Sequence, residues 1–521
     1  MMSKDAPVHL PDDLSVCHEI IRQQQLTLNS SNRRIEQLEH RLDLLLRAKY
    51  GPHNEKLDEA QLRLFAAELL ELQGQTDTDQ AAEEEEPQRH RNKNRGRRPL
   101  PKDLPRRRIE HPVPAEELCC PDCGKTRERF SEEVSEQLDY VPASLFVVEH
   151  VRPKYVCKSC AAHVVIADKP TQPIEKGLAG PGLLAQVIVS KYGDHLPLYR
   201  LERIFKRHGL KISRSTTCGW MAQCAELLKP LYSLMTEQIR HSKVIHTDDT
   251  VLPVQDRQRD RTRQGRVWVY VGDRNHPYTV FDYTPNRSRD GPIKWLDSFS
   301  GYLQADAYSG YDVIYQSGTS AGPVVEVACW AHTRRKFFES RLTAPGPAHT
   351  AMAWIQKLYA IETQIKDLDA TERCQVRKEQ ALPLLQSLRV WLIEQQSQNL
   401  PKSPVGQAIS YTMGNWEALV RYTTDGDLAI DNNVAERAIK PLVIGRKNYL
   451  FAGSDNGGRT AAVLYSLVCS CQQNDIDPFV YLRDVISRIS DHPMKQLDLL
   501  LPDRWKVAGM QSTESVCDMS N

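Results

Sequence analysis

"KVIHTDDTVLPVQ", residues 243–255, decides how this chain is read: apolar and β-branched residues surround two adjacent aspartates, as in a strand that carries acids. Similar stretches follow. "GRVWVYVGD" (265–273), "PYTVFDYTP" (277–285), "GYLQADAYSGYDVIY" (301–315) and "VVEVACWAH" (324–332) are each apolar or alternating, with turn residues between them. "RDGPIKWLDSFS" (289–300) supplies a helix between the third strand and the fourth. Three strands, a helix, a strand, and a strand followed by a helix make a mixed α/β layer. Residues 350–420 then read as wholly helical, and 459–490 as helical again.

Upstream, the segment from about residue 180 has helix-turn-helix syntax. One helix ends at Gly209, a short turn follows, and Ser213 or Ser215 opens a second helix whose first residues include Arg214, Ser215 and Thr216. An ordinary pair of core helices has the same pattern. Further upstream, "CCPDCG" and "YVCKSC" set Cys120 with Cys123 and Cys157 with Cys160, each pair with the two-residue gap of a zinc knuckle. Such turns hold two thiolates on one side of a tetrahedral zinc ion, so two of them make a closed structural site, with Cys119 as a spare ligand. Four buried free cysteines are the alternative.

Ahead of these pairs, "RHRNKNRGRRPLPKDLPRRR" (89–108) carries ten Arg or Lys against one Asp, directly after the acidic run 83–86. It reads as a linker or a nucleic-acid arm. Within it Arg95, Arg97 and Arg98 resemble a minor-groove hook, although a solvated basic linker explains them equally. Ile21, Leu28, Ile35 and Leu42 recur every seven residues, joined by Leu38 and Leu45, which predicts a short coiled coil and self-association. Polar Gln24 and Ser31 weaken its first half, and an amphipathic helix packed within its own chain is the alternative.

Whole-chain composition adds bounds. At 521 residues the chain exceeds one hydrophobic core. Lys and Arg total 68 against 67 Asp and Glu, so no global charge argues for a polyanion and only the local patches do. No apolar run reaches membrane-spanning length, which predicts a soluble, cytoplasmic protein, with no membrane partner. Thirteen cysteines are odd in number for a disulfide framework.

Three acids stand at informative places: Asp248 as the end of the first strand, Asp306 as the end of the fourth, and Glu436 early in the helix of "DNNVAERAIKPLVIGRKNYLFAGSDNGG" (431–458). Carboxylates of this kind hold magnesium, and two ions about 3.5 to 4 Å apart can activate a hydroxyl and offset charge on a leaving oxygen. Each acid also has an ordinary reading. The aspartates would serve as turn formers, and Asn433 with Glu436 would form a capping box on a helix that stops at Pro441. Arg437 and Lys440 share the Glu436 side of that helix, Arg446 and Lys447 precede the glycine-rich "FAGSDNGG", and His332, Arg334, Arg335 and Lys336 form a basic cluster. All are candidate DNA contacts. A solvated face, same-helix ion pairs and a structural histidine are the alternatives.

The paired cysteines with "EEVSEQLDYVPASLFVVEHVRPKYVC", then "GPGLLAQVIVSKYGDHLPLYRLERIF", "HTDDTVLPV", "YLQADAYSGYD", "CWAHTRRKF" and "DNNVAERAIKPLVIGRKNYLFAGSDNGG" together resemble the insertion sequence 66 family, a branch of the DDE transposases. The resemblance implies a ribonuclease-H-like core whose first and fourth strands present their aspartates side by side, with the third acid on a later helix after an insertion. It carries the acids onto Asp248, Asp306 and Glu436, with two magnesium ions, manganese as a substitute, and structural zinc. This chain has Asp249 where the family usually has glutamate, which leaves open whether Asp249 replaces Asp248 as the ligand.

The expected architecture is a multidomain α/β chain. A coiled-coil oligomerisation region (14–72) and a charged basic linker (73–110) lead into a zinc ribbon (111–170) and a helix-turn-helix region (178–238). The first part of the ribonuclease-H-like mixed-sheet core (240–345) precedes an all-helical insertion (346–425), the second part with C-terminal helices (426–490), and a tail (491–521). The implied function is a bacterial, nucleoid-associated transposase. It would bind terminal inverted repeats, cut double-stranded DNA at element ends and join it to a target as a homo-oligomer, with accessory proteins of the same element as further candidate partners. A non-catalytic zinc and helix-turn-helix DNA-binding protein, and a structure-specific nuclease with the same core, are the alternatives.

Overall fold

The computed structural model describes residues 22–25, 145, 147–148, 171–175, 177–256, 258 and 261–505, and the backbone alone of 154–155 and 165–166. The coiled-coil seam apart from a helical 22–25, the basic arm with Arg95, Arg97 and Arg98, and all five clustered cysteines lie outside the described residues. Contacts divide the chain into two units, 76–167 and the remainder. In the smaller unit Lys154–Tyr155 pairs antiparallel with Val165–Ile166, a short ribbon that brackets Cys157 and Cys160 in sequence.

In the larger unit three helices come first: α1 (Pro181–Ile188), continued by a π-helical turn to Gly193, α2 (Leu198–Arg207) and α3 (Arg214–Arg240). Gly209, at φ 79°, lets the chain reverse after α2, where a side chain would be strained. Ser213 then caps α3 by accepting from the Thr216 N–H. The predicted helix-turn-helix is therefore present, but it is no separate domain. Leu201, Phe205, Leu228 and Met235 bury into the same core as the sheet, and the Tyr232 hydroxyl donates to the Phe281 carbonyl at 2.9 Å.

The sheet follows: β1 (Val244–Val254), β2 (Arg263–Val271), β3 (Thr279–Thr284), helix α4 (Asp290–Leu296), β4 (Gly301–Gln304), helix α5 (Asp312–Ser317) and β5 (Val324–Val327). Its spatial order is β3-β2-β1-β4-β5, with the first three strands antiparallel and β4 and β5 parallel to β1. The mixed layer is as expected, with two corrections. β1 runs six residues beyond Asp248, because β2 continues to pair with it after the shorter β4 has ended. The predicted strand 301–315 stops at Gln304, and its remainder folds into a 3-10 turn (Ser309–Tyr311) and α5, burying Tyr311 and Ile314.

After β5 come α6 (Trp330–Ser340), α7 (Pro345–Gln364), α8 (Ala370–Val376), α9 (Leu382–Gln398), α10 (Pro404–Gly414) and α11 (Trp416–Val420). They enclose a second core around Trp354, Leu385, Ile409 and Trp416. The Arg377 guanidinium is buried there, held by Glu362 at 2.7 Å and by the carbonyls of Tyr422 and Asp425. This helical body also covers one sheet edge, where the Ala328 N–H donates to the Ala418 carbonyl.

The chain returns through α12 (Asn433–Tyr449), α13 (Asp455–Gln473) and α14 (Pro478–Arg488). α13 seals the other edge: the hydroxyls of Ser466 and Ser470 accept from the Phe281 and Thr279 N–H groups of β3 at 2.8 and 3.0 Å. Its first turn contains the "DNGG" of the glycine-rich stretch that follows Arg446 and Lys447. A Cβ on Gly458 would stand 2.6 Å from the Tyr283 ring, so close helix–sheet packing explains that glycine. The expected tail likewise packs in part, with Leu497, Leu500 and Leu501 buried and Trp505 Nε1 donating to Asp484.

Candidate active site

The register between β1 and β4 brings the two aspartates together. Val244 lies opposite Tyr302 and His246 opposite Gln304, where the pairing ends; Asp248 and Asp306 each follow two residues later, near enough for the Asp306 charge to act on Asp248. Glu436 comes from the first turn of α12, which packs across β1.

No capping box forms on α12. The N-cap is Asn432, without a side-chain cap bond, and Asn433 is already helical. The helix start is organised from behind. Asp431 accepts from the Asn433 N–H at 3.1 Å and from the Tyr359 hydroxyl at 2.9 Å. Asn432, 1 % exposed, joins three elements. Its Nδ2 donates to the Thr247 carbonyl of β1 at 2.8 Å, and its backbone N–H donates to Cys329 Sγ, just before α6, at 3.1 Å. Its Oδ1, left as the acceptor, accepts a hydrogen bond from the His246 Nδ1–H at 3.2 Å. Burial pushes the His246 ring down to about 4, which keeps it neutral near pH 7 and suited to this role. Nor does the helix stop at Pro441, because Leu442 and Gly445 continue its buried face and hold it on the sheet.

The electrostatics distinguish the two adjacent aspartates. Successive strand residues face opposite sides. Asp249 shares its side with Arg266, which donates to Oδ2 at 2.7 Å, while Arg287 donates to Oδ1 at 2.7 Å. Its carboxylate is thus compensated by two guanidinium groups. Among the described residues no cation pairs with Asp248, whose Oδ1 accepts the Asp249 N–H at 2.7 Å. Burial pushes the Asp248 carboxyl up to about 7, against that hydrogen bond, and the charges of Asp306, Asp249 and Glu436 push the same way. Asp306 is also raised, first by burial, with Asp249 and Glu436 adding to the effect and His332 and Arg287 opposing it.

His332 Nε2 stands 3.8 Å from Glu436 Oε1, an ionic contact only when the ring is protonated. Among the described residues, no three acid, histidine or cysteine side chains close around one ion position. The donor chemistry nevertheless fits a hard divalent cation: three carboxylates whose charges oppose one another beside the end of β4, with no lysine or arginine held on Asp248 among the described residues.

The other described candidate residues lie on three helices. Arg214, Ser215 and Thr216 are exposed at the start of α3, although Thr216 is engaged with the Ser213 cap. Arg334 and Arg335 follow His332 on α6. Arg437, Lys440 and Lys447 are exposed on α12, whereas Arg446 turns inward and donates to Thr250 Oγ1 at 2.8 Å and to the Val251 carbonyl. Arg446 therefore fastens α12 to β1. Sequence reasoning missed Arg266, Arg287 and Asn432, whose roles depend on strand register and on contacts between distant segments.

Four family models match the chain in order: "Transposase C of IS166 homeodomain" over residues 37–109, "zinc-finger binding domain of transposase IS66" over 117–161, "Transposase IS66 family" over 176–460, and "IS66 C-terminal element" over 466–502. The zinc-finger match spans all four paired cysteines. Similar proteins occur in Sinorhizobium fredii. The uncharacterized protein y4hP is 35 % identical over 431 residues, covering 79 % of this chain and 77 % of the relative. The uncharacterized protein y4qI is 33 % identical over 495 residues, covering 92 % of this chain and 90 % of that protein. No helix among the described residues is long and apolar enough to cross a membrane. With its central model matched over residues 176–460 and relatives aligned along most of its length, the chain belongs to the IS66 transposase family.

Proposed function

We propose that the chain is a DDE transposase that cuts double-stranded DNA at the ends of its insertion sequence and joins them to a target, with Asp248, Asp306 and Glu436 as the catalytic acids. The observation that carries this reading is the parallel β1–β4 pairing, which ends at His246 opposite Gln304, two residues before Asp248 and Asp306, together with the charges of Asp306 and Glu436 acting on Asp248. The sheet order β3-β2-β1-β4-β5, antiparallel then parallel, supports a ribonuclease-H-like core.

Asp248 is the better first ligand because Arg266 and Arg287 already compensate Asp249. Two magnesium ions, or manganese, held by these acids would activate the attacking hydroxyl and offset charge on the leaving oxygen. Asn432 holds the start of α12 against β1 and so directs Glu436 toward the aspartates. His332 stands beside Glu436, where it can orient that carboxylate. Hydrolysis at each element end frees a 3′-hydroxyl, which then attacks a target phosphodiester. One phosphodiester replaces another in that second step, so no energy cofactor enters. Cys120, Cys123, Cys157 and Cys160 would hold structural zinc, and the protein would act on DNA as a homo-oligomer because two ends must be held together.

The test uses full-length protein, magnesium, and labelled duplex containing the element's end. Cleavage and joining should fall to background in Asp306→Asn and Glu436→Gln while DNA binding persists. Unchanged strand transfer in both variants would remove the assignment. Cleavage without joining would leave a nuclease.

A further inference from the structure

Beyond Glu436, α12 turns one face to solvent. Arg437, Lys440, Ile444 and Lys447 are exposed and recur at spacings of three and four. No ion pair joins the three cations to a carboxylate among the described residues. The helix then ends in a tight turn. Leu450 adopts φ 67° and ψ −48°, and the Phe451 N–H donates to the Tyr449 carbonyl at 2.8 Å. This is the positive-φ γ-turn, rare and strained for a residue with a side chain. It is pinned on both sides: the Leu450 N–H donates to the Arg446 carbonyl at 2.7 Å, and Ala452 makes two backbone bonds of 2.8 Å, with Pro253 and Gln255 at the end of β1. The result is a fixed tip displaying two apolar side chains, Leu450 at 65 % and Phe451 at 43 % exposure.

We infer that α12 is a DNA track, with Arg437, Lys440 and Lys447 against successive phosphates and Leu450–Phe451 a wedge against a base step; this rests on the proposed reaction on DNA. The unpaired cations call for a polyanion. The apolar tip at the end of the stripe selects nucleic acid, which offers flat apolar base faces between its phosphates. From Glu436 to Leu450 the helix advances about 21 Å at about 1.5 Å per residue. At about 3.4 Å per base pair the wedge meets the duplex about six pairs from the cut site.

The experiment binds full-length, zinc-loaded protein, without added magnesium, to element-end duplexes carrying 2-aminopurine at successive positions inward from the cut site. Unstacking raises the fluorescence of that base. A several-fold rise is expected at one or two adjacent positions about six pairs from the cut. Phe451→Ala should abolish it, Phe451→Trp should keep it, and Leu450→Gly, which relaxes the turn, should reduce it. The salt dependence of binding should lose about two units of slope in a Lys440→Ala/Lys447→Ala double variant and none in Phe451→Ala. A wild-type protein that unstacks no base, or a Phe451→Ala protein of unchanged melting temperature that keeps the wild-type profile, overturns the wedge. When magnesium is then added, ends that are unstacked but never cut support the wedge and refute the catalytic reading. Ends that are cut without unstacking do the reverse.

Discussion

Replacing Asp248 by asparagine should stabilise the metal-free protein above neutral pH. An ordinary aspartate titrates at 3.8, whereas burial and the neighbouring carboxylates push Asp248 up to about 7. Between those values the unfolded chain has released its proton while the folded chain still holds it, so stability falls as pH rises through this window. Each unit is worth about 1.4 kcal/mol, which gives at most about 4 kcal/mol. Solvent reaching the site and movement of Glu436 away from Asp248 reduce this to about 2 kcal/mol. In the Asp248→Asn variant the new amide does not titrate, yet its side-chain oxygen can still accept from the Asp249 N–H as the carboxylate does. Thermal melts in chelator should therefore coincide near about pH 4 and separate as pH rises, the variant melting about 4 °C higher at about pH 8. A variant that melts no higher than wild type at the alkaline end, or a gap that ignores pH, would refute the view of Asp248 as a carboxylate strained by its neighbours.

Asn432→Ala should cost about 2 to 4 kcal/mol in denaturant unfolding, because it strands the Thr247 carbonyl and the His246 ring in the interior. A loss under about 1 kcal/mol, on the order of a surface substitution, would mean that α12 is held elsewhere. Gly458→Ala drives a methyl group to 2.6 Å from the Tyr283 ring and should lower stability by about 1 to 3 kcal/mol in the same assay. Metal analysis should find zinc in the intact protein and lose it in a Cys120→Ser/Cys157→Ser variant; intact protein without zinc would remove the ribbon reading.

The strands were legible because their composition is local: "VWVYV" is buried throughout, as a central strand covered on both faces should be. Where tertiary contacts decided, local rules misled. "YSGYDVIY" has strand composition but buries Tyr311 and Ile314 as a turn and helix beside β4. Pro441 reads as a stop, yet burial of Leu442 and Gly445 carries α12 onward to Tyr449. Asn433 and Glu436 had capping-box spacing, but Asp431 and Asn432 secure the helix start through Tyr359, Thr247 and Cys329, partners more than seventy residues away in sequence. The candidate acids came from family resemblance. What spacing could not supply was the difference between Asp248 and Asp249, since it depends on which strand face meets Arg266 and on where the Arg287 loop returns.

A change of ligand chemistry at one atom tests the shared-metal claim most directly. Thiolate is a soft ligand that accepts manganese more readily than magnesium. Cleavage of element-end DNA by Asp248→Cys should be lost with magnesium and partly restored with manganese, while Asp249→Cys should show no such preference for the metal. Failure of manganese to restore Asp248→Cys, together with manganese rescue of Asp249→Cys, would contradict the assignment of Asp248 as the metal-bearing acid.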